Sequence, residues 1–220
     1  HYGDDSTKLQ IVDAAAGDVR AGDLPKLADS SGLVIDPDTP VTLDSFGDIK
    51  EKLRKPKRPK HLKDFSSSEL WTSAVGLDSI WPLLPVLGHR SPTIAFVDSG
   101  IDANRSDFAG RVVSQVDMTS LPGNSAGDGS GHGTFVAGLA AGSAESHSGA
   151  APTAGIVSID VMDDQGMART SDVIAAAQWI LKNKDQYDIR VANFSLHSAS
   201  PSSFRWDPLD KALEKLWFGG

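Results

Sequence analysis

The stretch Asp128-Gly129-Ser130-Gly131-His132-Gly133-Thr134-Phe135-Val136-Ala137-Gly138 places one histidine among closely spaced glycines. Glycine permits tight turns and the close approach of another chain segment. Thr134 is an acceptable N-cap and apolar residues follow it at helical spacing, so we predict that a helix begins there. His132 would then lie beside the helix N-terminus, where an imidazole that titrates near neutral pH can move protons. On this stretch alone, a surface histidine beside a glycine-rich helix start remains the alternative.

A candidate partner for His132 lies upstream, in the run Thr93-Ile94-Ala95-Phe96-Val97-Asp98-Ser99-Gly100. Its apolar, β-rich residues predict a buried strand of a parallel sheet that ends at Asp98. Functional groups of open α/β sheets gather at the carboxyl ends of the strands. A buried carboxylate there can fix the tautomer of an imidazole, which then acts as general base for a nucleophile. Taken alone, Asp98 could equally cap the following turn.

Three motifs together resemble the motifs of the subtilisin-like serine proteases. They are Asp98-Ser99-Gly100-Ile101-Asp102, Gly131-His132-Gly133-Thr134 and Val191-Ala192-Asn193-Phe194-Ser195-Leu196. Aspartate precedes histidine, as in that family and unlike the trypsin-like enzymes. The resemblance covers roughly residues 70–220 and implies an α/β fold with a doubly wound, mostly parallel sheet that is incomplete at its C-terminal end. It also implies a serine endopeptidase in which Asp98 orients His132.

The nucleophile of the family lies in a Gly-Thr-Ser motif, and its oxyanion-binding asparagine lies in an Ala-Gly-Asn motif. Neither motif occurs in the 220 residues of this chain. The resemblance therefore implies that both residues belong to sequence beyond Gly220, and we expect the chain alone to be inactive and to require that C-terminal half as a partner. A non-catalytic binding or scaffold protein of the same fold, lacking the nucleophile, is the alternative function.

Two segments match the substrate-binding strands of the family. Gly166, Met167 and Ala168 correspond to the strand on one side of a protein or peptide substrate. Ser195, Leu196 and His197 correspond to the strand on the other side, which also walls the main specificity pocket. Pairing with the substrate backbone on both sides is strand addition, which tolerates many sequences. The family commonly has glycine where Ala168 and His197 stand, so we expect His197→Gly to change the residue preferred in the main pocket.

Residues 1–47 resemble the end of a subtilase propeptide, as a small α+β unit. We predict a strand at 8–12, a short helix at 23–28 with Asp23 as its cap, and a second strand that ends in a turn within 32–38. In the family the propeptide assists folding and inhibits the enzyme by laying its C-terminal segment in the substrate cleft, so the chain's own propeptide is an expected partner. An unrelated β-hairpin extension is the alternative.

Residues 48–69 form a basic linker that carries eight of the 21 lysines and arginines. Such a run cannot bury an apolar face, and dense basic sequence is an easy target for proteases. We therefore predict that the propeptide is cut from the catalytic domain within this linker. N-terminal sequencing of the mature protein would test this, since a mature N-terminus before Asp48 would exclude it.

Residues 70–220 alternate predicted strands and helices, which favours a parallel sheet with helical crossovers. A helix at 70–81 would carry an apolar stripe of Trp71, Val75 and Ile80. We also predict strands at 111–116 and 155–161. A helix capped by Ser171-Asp172 is predicted to run to Leu181, and a final helix is capped by Asp207 with Pro208 at its first position.

Composition narrows the functional class further. The net charge of −8 argues against nucleic acid as a partner, the absence of cysteine excludes thiolate chemistry, and no apolar run reaches the ~20 residues of a membrane helix. Family resemblance implies a secreted protein, whose signal peptide is not in this chain. An aspartic protease needs a second Asp-Ser-Gly or Asp-Thr-Gly motif, which the sequence lacks. A zinc hydrolase needs ligands at a spacing such as His-x-x-x-His, which the sequence also lacks.

No cofactor is expected for the chemistry. Asp107 stands where the family has an aspartate that often binds calcium, but the loop Ser143–Gly149, which supplies other ligands in the family, is short. A calcium site needs six or more oxygens, so structural calcium is possible but not predicted. His147 has no partner at metal-ligand spacing and is interpreted as a surface histidine.

Overall fold

The computed structural model describes residues 7–28, 35–43, 70–83, 91–144, 147–198 and 203–220. The basic linker predicted at 48–69 lies outside these residues. The first part of the strand predicted at 32–38 also lies outside them. Residues 35–38, which are described, form no strand, so the prediction is wrong for that part.

The strands of the described residues are numbered in chain order. They are β1 (Thr7–Leu9), β2 (Ala14–Ala16), β3 (Pro40–Leu43), β4 (Thr93–Asp98), β5 (Val112–Asp117), β6 (Ser143–Ala144), β7 (His147–Ser148), β8 (Gly155–Asp160), β9 (Met167–Arg169), β10 (Ile189–Phe194) and β11 (Leu196–Ser198). The α-helices are α1 (Leu24–Ala28), α2 (Leu70–Ala74), α3 (Leu77–Ile80), α4 (His132–Ala141), α5 (Thr170–Tyr187) and α6 (Pro208–Phe218).

A four-stranded parallel sheet in the order β10-β4-β8-β5 forms the centre of the molecule. All six residues of β4 are buried, as the continuous apolar run predicts for a strand covered on both faces. Ala95 and Val97 belong to one core cluster with residues of α5 and α6. Ile94 and Phe96 belong to the other, with Ala137 and Ala141 of α4. Helices therefore cover both faces, and the predicted doubly wound α/β class is confirmed.

The N-terminal residues pack against this domain. Leu9 and Ile11 are buried in the cluster that contains α5 and α6, and the Ile11 amide donates to Oε1 of Gln178 at 2.9 Å. The predicted strand at 8–12 is wrong in its second half, because β1 ends at Leu9 and residues 10–12 form a 3-10 turn. That turn reverses the chain so that β2 pairs antiparallel with β1.

The predicted helix at 70–81 is divided into α2 and α3. Gly76 separates them with a φ of +79°, a left-handed value that ends α2. The predicted apolar stripe is also wrong, because the Val75 and Ile80 side chains are 63% and 49% exposed. Trp81 is anchored instead by its indole nitrogen, which donates to the Ala150 carbonyl at 2.9 Å.

The two long helices differ in how well their caps were predicted. Helix α6 begins as expected, because the Asp207 side chain accepts from the amides of Leu209 and Asp210 with Pro208 in the first turn. Helix α5 already begins at Thr170, so Ser171-Asp172 is not its cap. Asp172 lies within the first turn and accepts two hydrogen bonds from Ser120 instead, at 3.0 and 2.9 Å.

Within the described part of the chain, none of the helices has the length and apolar character needed to cross a bilayer.

Candidate active site

Asp98 and His132 meet at the carboxyl edge of the parallel sheet. Asp98 is the last residue of β4, and His132 is the first residue of α4. Nδ1 of His132 lies 2.7 Å from Oδ1 of Asp98, and the two side chains are 11% and 1% exposed. This distance is that of a charge-assisted hydrogen bond. The contact fixes the imidazole tautomer, so Nε2 is the ring nitrogen that can accept a proton.

Glycines at the start of α4 allow this contact. Gly131 is the N-cap residue with a φ of +84°, so α4 begins at His132. The prediction that the helix begins at Thr134 is therefore wrong. At Gly133 an added Cβ would lie 2.1 Å from the Gly100 carbonyl oxygen and 3.2 Å from Cβ of Asp98. Only glycine allows the helix to approach the strand end this closely.

Asp128 organises the loop before α4, a role that the sequence interpretation missed. Its Oδ1 accepts from the Gly131 amide at 2.7 Å and the Ser99 hydroxyl at 2.8 Å. Its Oδ2 accepts from the amide and hydroxyl of Thr134, at 2.8 and 2.5 Å. The available signal was an aspartate shortly before a helix start, a common source of helix-end hydrogen bonds.

Ser99 ties this loop to the strand that carries Asp98. The Ser99 amide donates to Oδ1 of Asp98 at 2.8 Å, and the Gly133 amide donates to the Ser99 hydroxyl at 3.1 Å. Asp128, Ser99 and the first turn of α4 therefore form one hydrogen-bonded unit. This unit sets the position of the imidazole relative to the Asp98 carboxylate.

Burial shapes the electrostatics of the strand ends. Burial raises the pKa of Asp98, although hydrogen bonds from His132 and Ser99 lower it in part. Asp160, its register partner at the end of β8, is also buried, and desolvation raises the pKa of its carboxyl to about 6. The Asp117 and Asp128 carboxylates raise that pKa further, whereas hydrogen bonds from Met162 and Asn124 lower it.

A slot beside this site holds part of the N-terminal segment. Strand β3 lies between β9 and β11 and pairs antiparallel with both. Val41 is opposite Ala168 and Thr42 is opposite His197. The Leu43 amide donates to the Gly166 carbonyl at 3.2 Å. The sequence interpretation did not predict a strand at 40–43, because four residues with one proline give little strand signal.

The predicted site residues fall into two groups. Asp98 and His132 form the buried contact, and the predicted substrate-binding segments flank β3. Leu196 pairs with Leu43, and Met167 pairs with Thr42. Ser195 connects β10 to β11, and its hydroxyl accepts from Nδ2 of Asn193 at 2.8 Å. Asp98 and His132 therefore lie at the carboxyl edge of the four-stranded sheet, whereas the six other residues lie in or next to β9 and β11 of a separate three-stranded sheet, to which β10 connects through Ser195.

Among the residues that the structure describes, no three His, Asp or Glu side chains lie close enough together to hold a metal ion. The Asp107 carboxylate forms an ion pair with Arg105 at 2.8 Å. His147 belongs to β7, which pairs with β6 in a small hairpin.

A family model described as the subtilase family matches residues 89–219, which include both Asp98 and His132. This chain belongs to the subtilase family. The subtilase resemblance stated on the three sequence motifs is thereby confirmed.

Two curated relatives of this subtilase chain illustrate the similarity. It is 40% identical over 91 residues to Subtilisin-like protease 5 of Arthroderma gypseum, which covers 41% of the chain and 22% of that relative. It is 33% identical over 144 residues to Serine protease AprX of Bacillus subtilis, which covers 61% of the chain and 32% of that relative. The subtilase chain thus spans between about a fifth and a third of the length of these relatives.

Among solved structures, the subtilase chain is similar to a cold adapted subtilisin-like serine proteinase. The sequences are 31% identical with a TM-score of 0.47, over 58% of this chain and 43% of that chain.

Proposed function

We propose that the protein containing this chain is a serine endopeptidase that hydrolyses peptide bonds in proteins through an Asp-His-Ser triad. The observation that carries the proposal is the 2.7 Å contact between Asp98 and His132 at the sheet edge. Subtilase membership and the order of the three motifs support it. The serine and the oxyanion-binding asparagine are proposed to come from sequence beyond Gly220.

In the proposed chemistry, His132 transfers a proton and Asp98 positions His132. His132 takes the hydroxyl proton of the serine at Nε2 while the serine oxygen attacks the peptide carbonyl carbon. When the tetrahedral intermediate collapses, the C–N bond breaks and His132 returns that proton to the leaving amine. Water then attacks the acyl carbon while His132 takes its proton, and the serine oxygen leaves with that proton as the acyl group is released. Asp98 holds the imidazole in position and stabilises its protonated form.

Residues 1–47 are proposed to be the propeptide, acting as an inhibitor of the same enzyme. The pairing of β3 with β9 and β11 supports this, because the N-terminal segment occupies a slot between two strands as an added strand would. Val41 is fully buried in that slot, so the contact involves side chains as well as backbone. Protein substrates are proposed to bind there after the propeptide leaves.

Release of the propeptide by cleavage within 48–69 stays a prediction, as does action outside the cell. The division into propeptide, basic linker and catalytic domain likewise stays a prediction. The proposed chemistry involves only side chains and water, with no cofactor.

Labelling of the full-length protein with a fluorophosphonate tests the function. Such reagents modify a serine that a neighbouring base has activated. We expect labelling of the mature protein, loss of labelling in His132→Ala, and full labelling in the matched variant His147→Ala. Unlabelled but folded protein would instead favour the non-catalytic binding protein.

A further inference from the structure

One side chain of the slot contacts the side chain of the N-terminal strand directly. Nε2 of His197 lies 3.1 Å from Oγ1 of Thr42. The two residues are register partners in the antiparallel pairing of β11 with β3. Directly opposed side chains on one face of a sheet are close enough for such pairing, so the contact follows from the strand register.

The chemistry of this pair is selective for a hydroxyl. A threonine or serine hydroxyl can both donate and accept, and Nε2 does one or the other according to its tautomer. A hydrogen bond can therefore form with either neutral tautomer. An aliphatic side chain of the same shape, such as valine, offers His197 no hydrogen-bonding atom.

The positions on either side of Thr42 favour aliphatic side chains. Val41 is fully buried and belongs to the core cluster that also contains Ala168. Leu43 lies against Gly166, where an added Cβ would be 2.6 Å from Cδ1 of the leucine. The slot therefore holds an aliphatic residue, a hydroxyl residue and a second aliphatic residue in succession.

We propose that His197 is a specificity-determining residue that selects serine or threonine at the substrate position opposite it. Preferred substrates carry that hydroxyl residue between two aliphatic residues, as in Val41-Thr42-Leu43. The inference rests on the proposed function, because it assumes that a substrate strand takes the place of β3. The sequence led us to expect that His197 affects the residue in the main specificity pocket. The present inference concerns a different substrate residue, the one that takes the place of Thr42 opposite His197.

Three internally quenched peptides test the inference with the mature full-length protein. Each spans Asp36–Asp48, and they carry threonine, serine or valine at position 42. We expect kcat/KM for the valine peptide to be about threefold to tenfold below that for threonine, the usual range for one hydrogen bond, although this one is exposed to solvent. The serine peptide should lie close to threonine.

Variants of His197 complete the design. His197→Gly should cleave the threonine and valine peptides equally, whereas His197→Gln, which still offers hydrogen-bonding atoms, should keep a preference for threonine. Each comparison is the ratio of kcat/KM for the threonine and valine peptides within one variant, so a uniform change in the activity of that variant does not affect it.

The outcomes separate the two proposals. Equal cleavage of threonine and valine peptides by the wild type overturns the role of His197 and leaves the protease function standing. A threonine preference that survives in His197→Gly overturns it as well. Absence of both labelling and cleavage for all three peptides overturns the protease function, and with it the inference.

Discussion

Asp38 and Ser171, which are 133 positions apart, are joined by two hydrogen bonds. The amide of Ser171 donates to Oδ1 of Asp38 at 2.8 Å, and its hydroxyl donates to Oδ2 at 2.6 Å. Ser171 is the second residue of α5, so a carboxylate of the N-terminal segment supplies hydrogen bonds at the N-terminus of this 18-residue helix. Both the unpaired amides and the helix dipole favour a negative charge there.

Removal of the Asp38 carboxylate should therefore destabilise α5 and loosen the N-terminal segment together. We expect Asp38→Ala to lower the free energy of unfolding by about 1 kcal/mol, the usual cost of losing a helix cap. Urea denaturation of the full-length precursor measures this. Asp36→Ala, which changes a nearby exposed aspartate, is the control, and an equal loss in both variants would contradict a capping role.

Asp98→Asn tests the orienting role of the carboxylate. An asparagine cannot hold the same imidazole tautomer or stabilise its charged form, so kcat should fall on the order of 10⁴-fold. Peptide hydrolysis by the mature full-length protein measures this. Asp102→Asn, at an exposed position four residues later, should leave kcat unchanged, and comparable loss in both variants would argue against the proposed triad.

Gly133 and Gly138 form a matched pair within α4. An added Cβ at Gly133 would overlap the Gly100 carbonyl, whereas one at Gly138 would meet no atom within 4 Å. Gly133→Ala should shift the helix start and lower kcat on the order of 100-fold, the cost of a displacement of about 1 Å. Gly138→Ala should raise stability by about 0.5–1 kcal/mol. Similar behaviour of the two variants, in kinetics and thermal denaturation, would refute the close approach.

Asp128 is expected to act on catalysis through the position of His132. Asp128→Ala removes the acceptor of four hydrogen bonds, so kcat should fall on the order of 100-fold with little change in KM. Asp128→Asn keeps one amide oxygen as acceptor and should recover part of that loss. Steady-state kinetics separates kcat from KM, with Asp210→Ala on the exposed face of α6 as control. A loss confined to KM would contradict a positioning role.

Because the pKa of Asp160 is raised, we expect the stability of the fold to depend on pH. Its folded-state pKa of about 6 lies above the ordinary aspartate value, so the folded protein binds this proton more tightly than the unfolded chain. The proton stabilises the fold fully below about pH 4, and about 3 kcal/mol of this is lost as the pH rises through about 6.

Asp160→Asn removes this titration. The difference in free energy of unfolding between variant and wild type should move in favour of the variant between about pH 4 and about pH 7, and stay constant above that. Urea denaturation of the full-length protein at a series of pH values measures it. A difference that does not change with pH would show that Asp160 titrates normally.

Local sequence was sufficient for the central strands, whereas naming Asp98 and His132 as a pair also required the resemblance of three motifs to those of the subtilases. The run ending at Asp98 is apolar at successive positions, which favours a strand buried on both faces, and the glycines around His132 favour close approach. These patterns involve neighbouring residues, so one sequence reveals them. The fold class followed from the alternation of such segments, and the cap of α6 followed from Asp207 and Pro208.

Contacts between distant segments could not be predicted in this way. The hydrogen bonds that Ser171 of α5 donates to Asp38 and the pairing of β3 between β9 and β11 each depend on where another segment lies. Asp128 also accepts a hydrogen bond from Ser99, 29 positions earlier, which no local pattern predicts. The sequence determined which residues favour each local conformation, whereas packing decided which hydrogen bonds distant residues form, because those bonds exist only after the chain has folded.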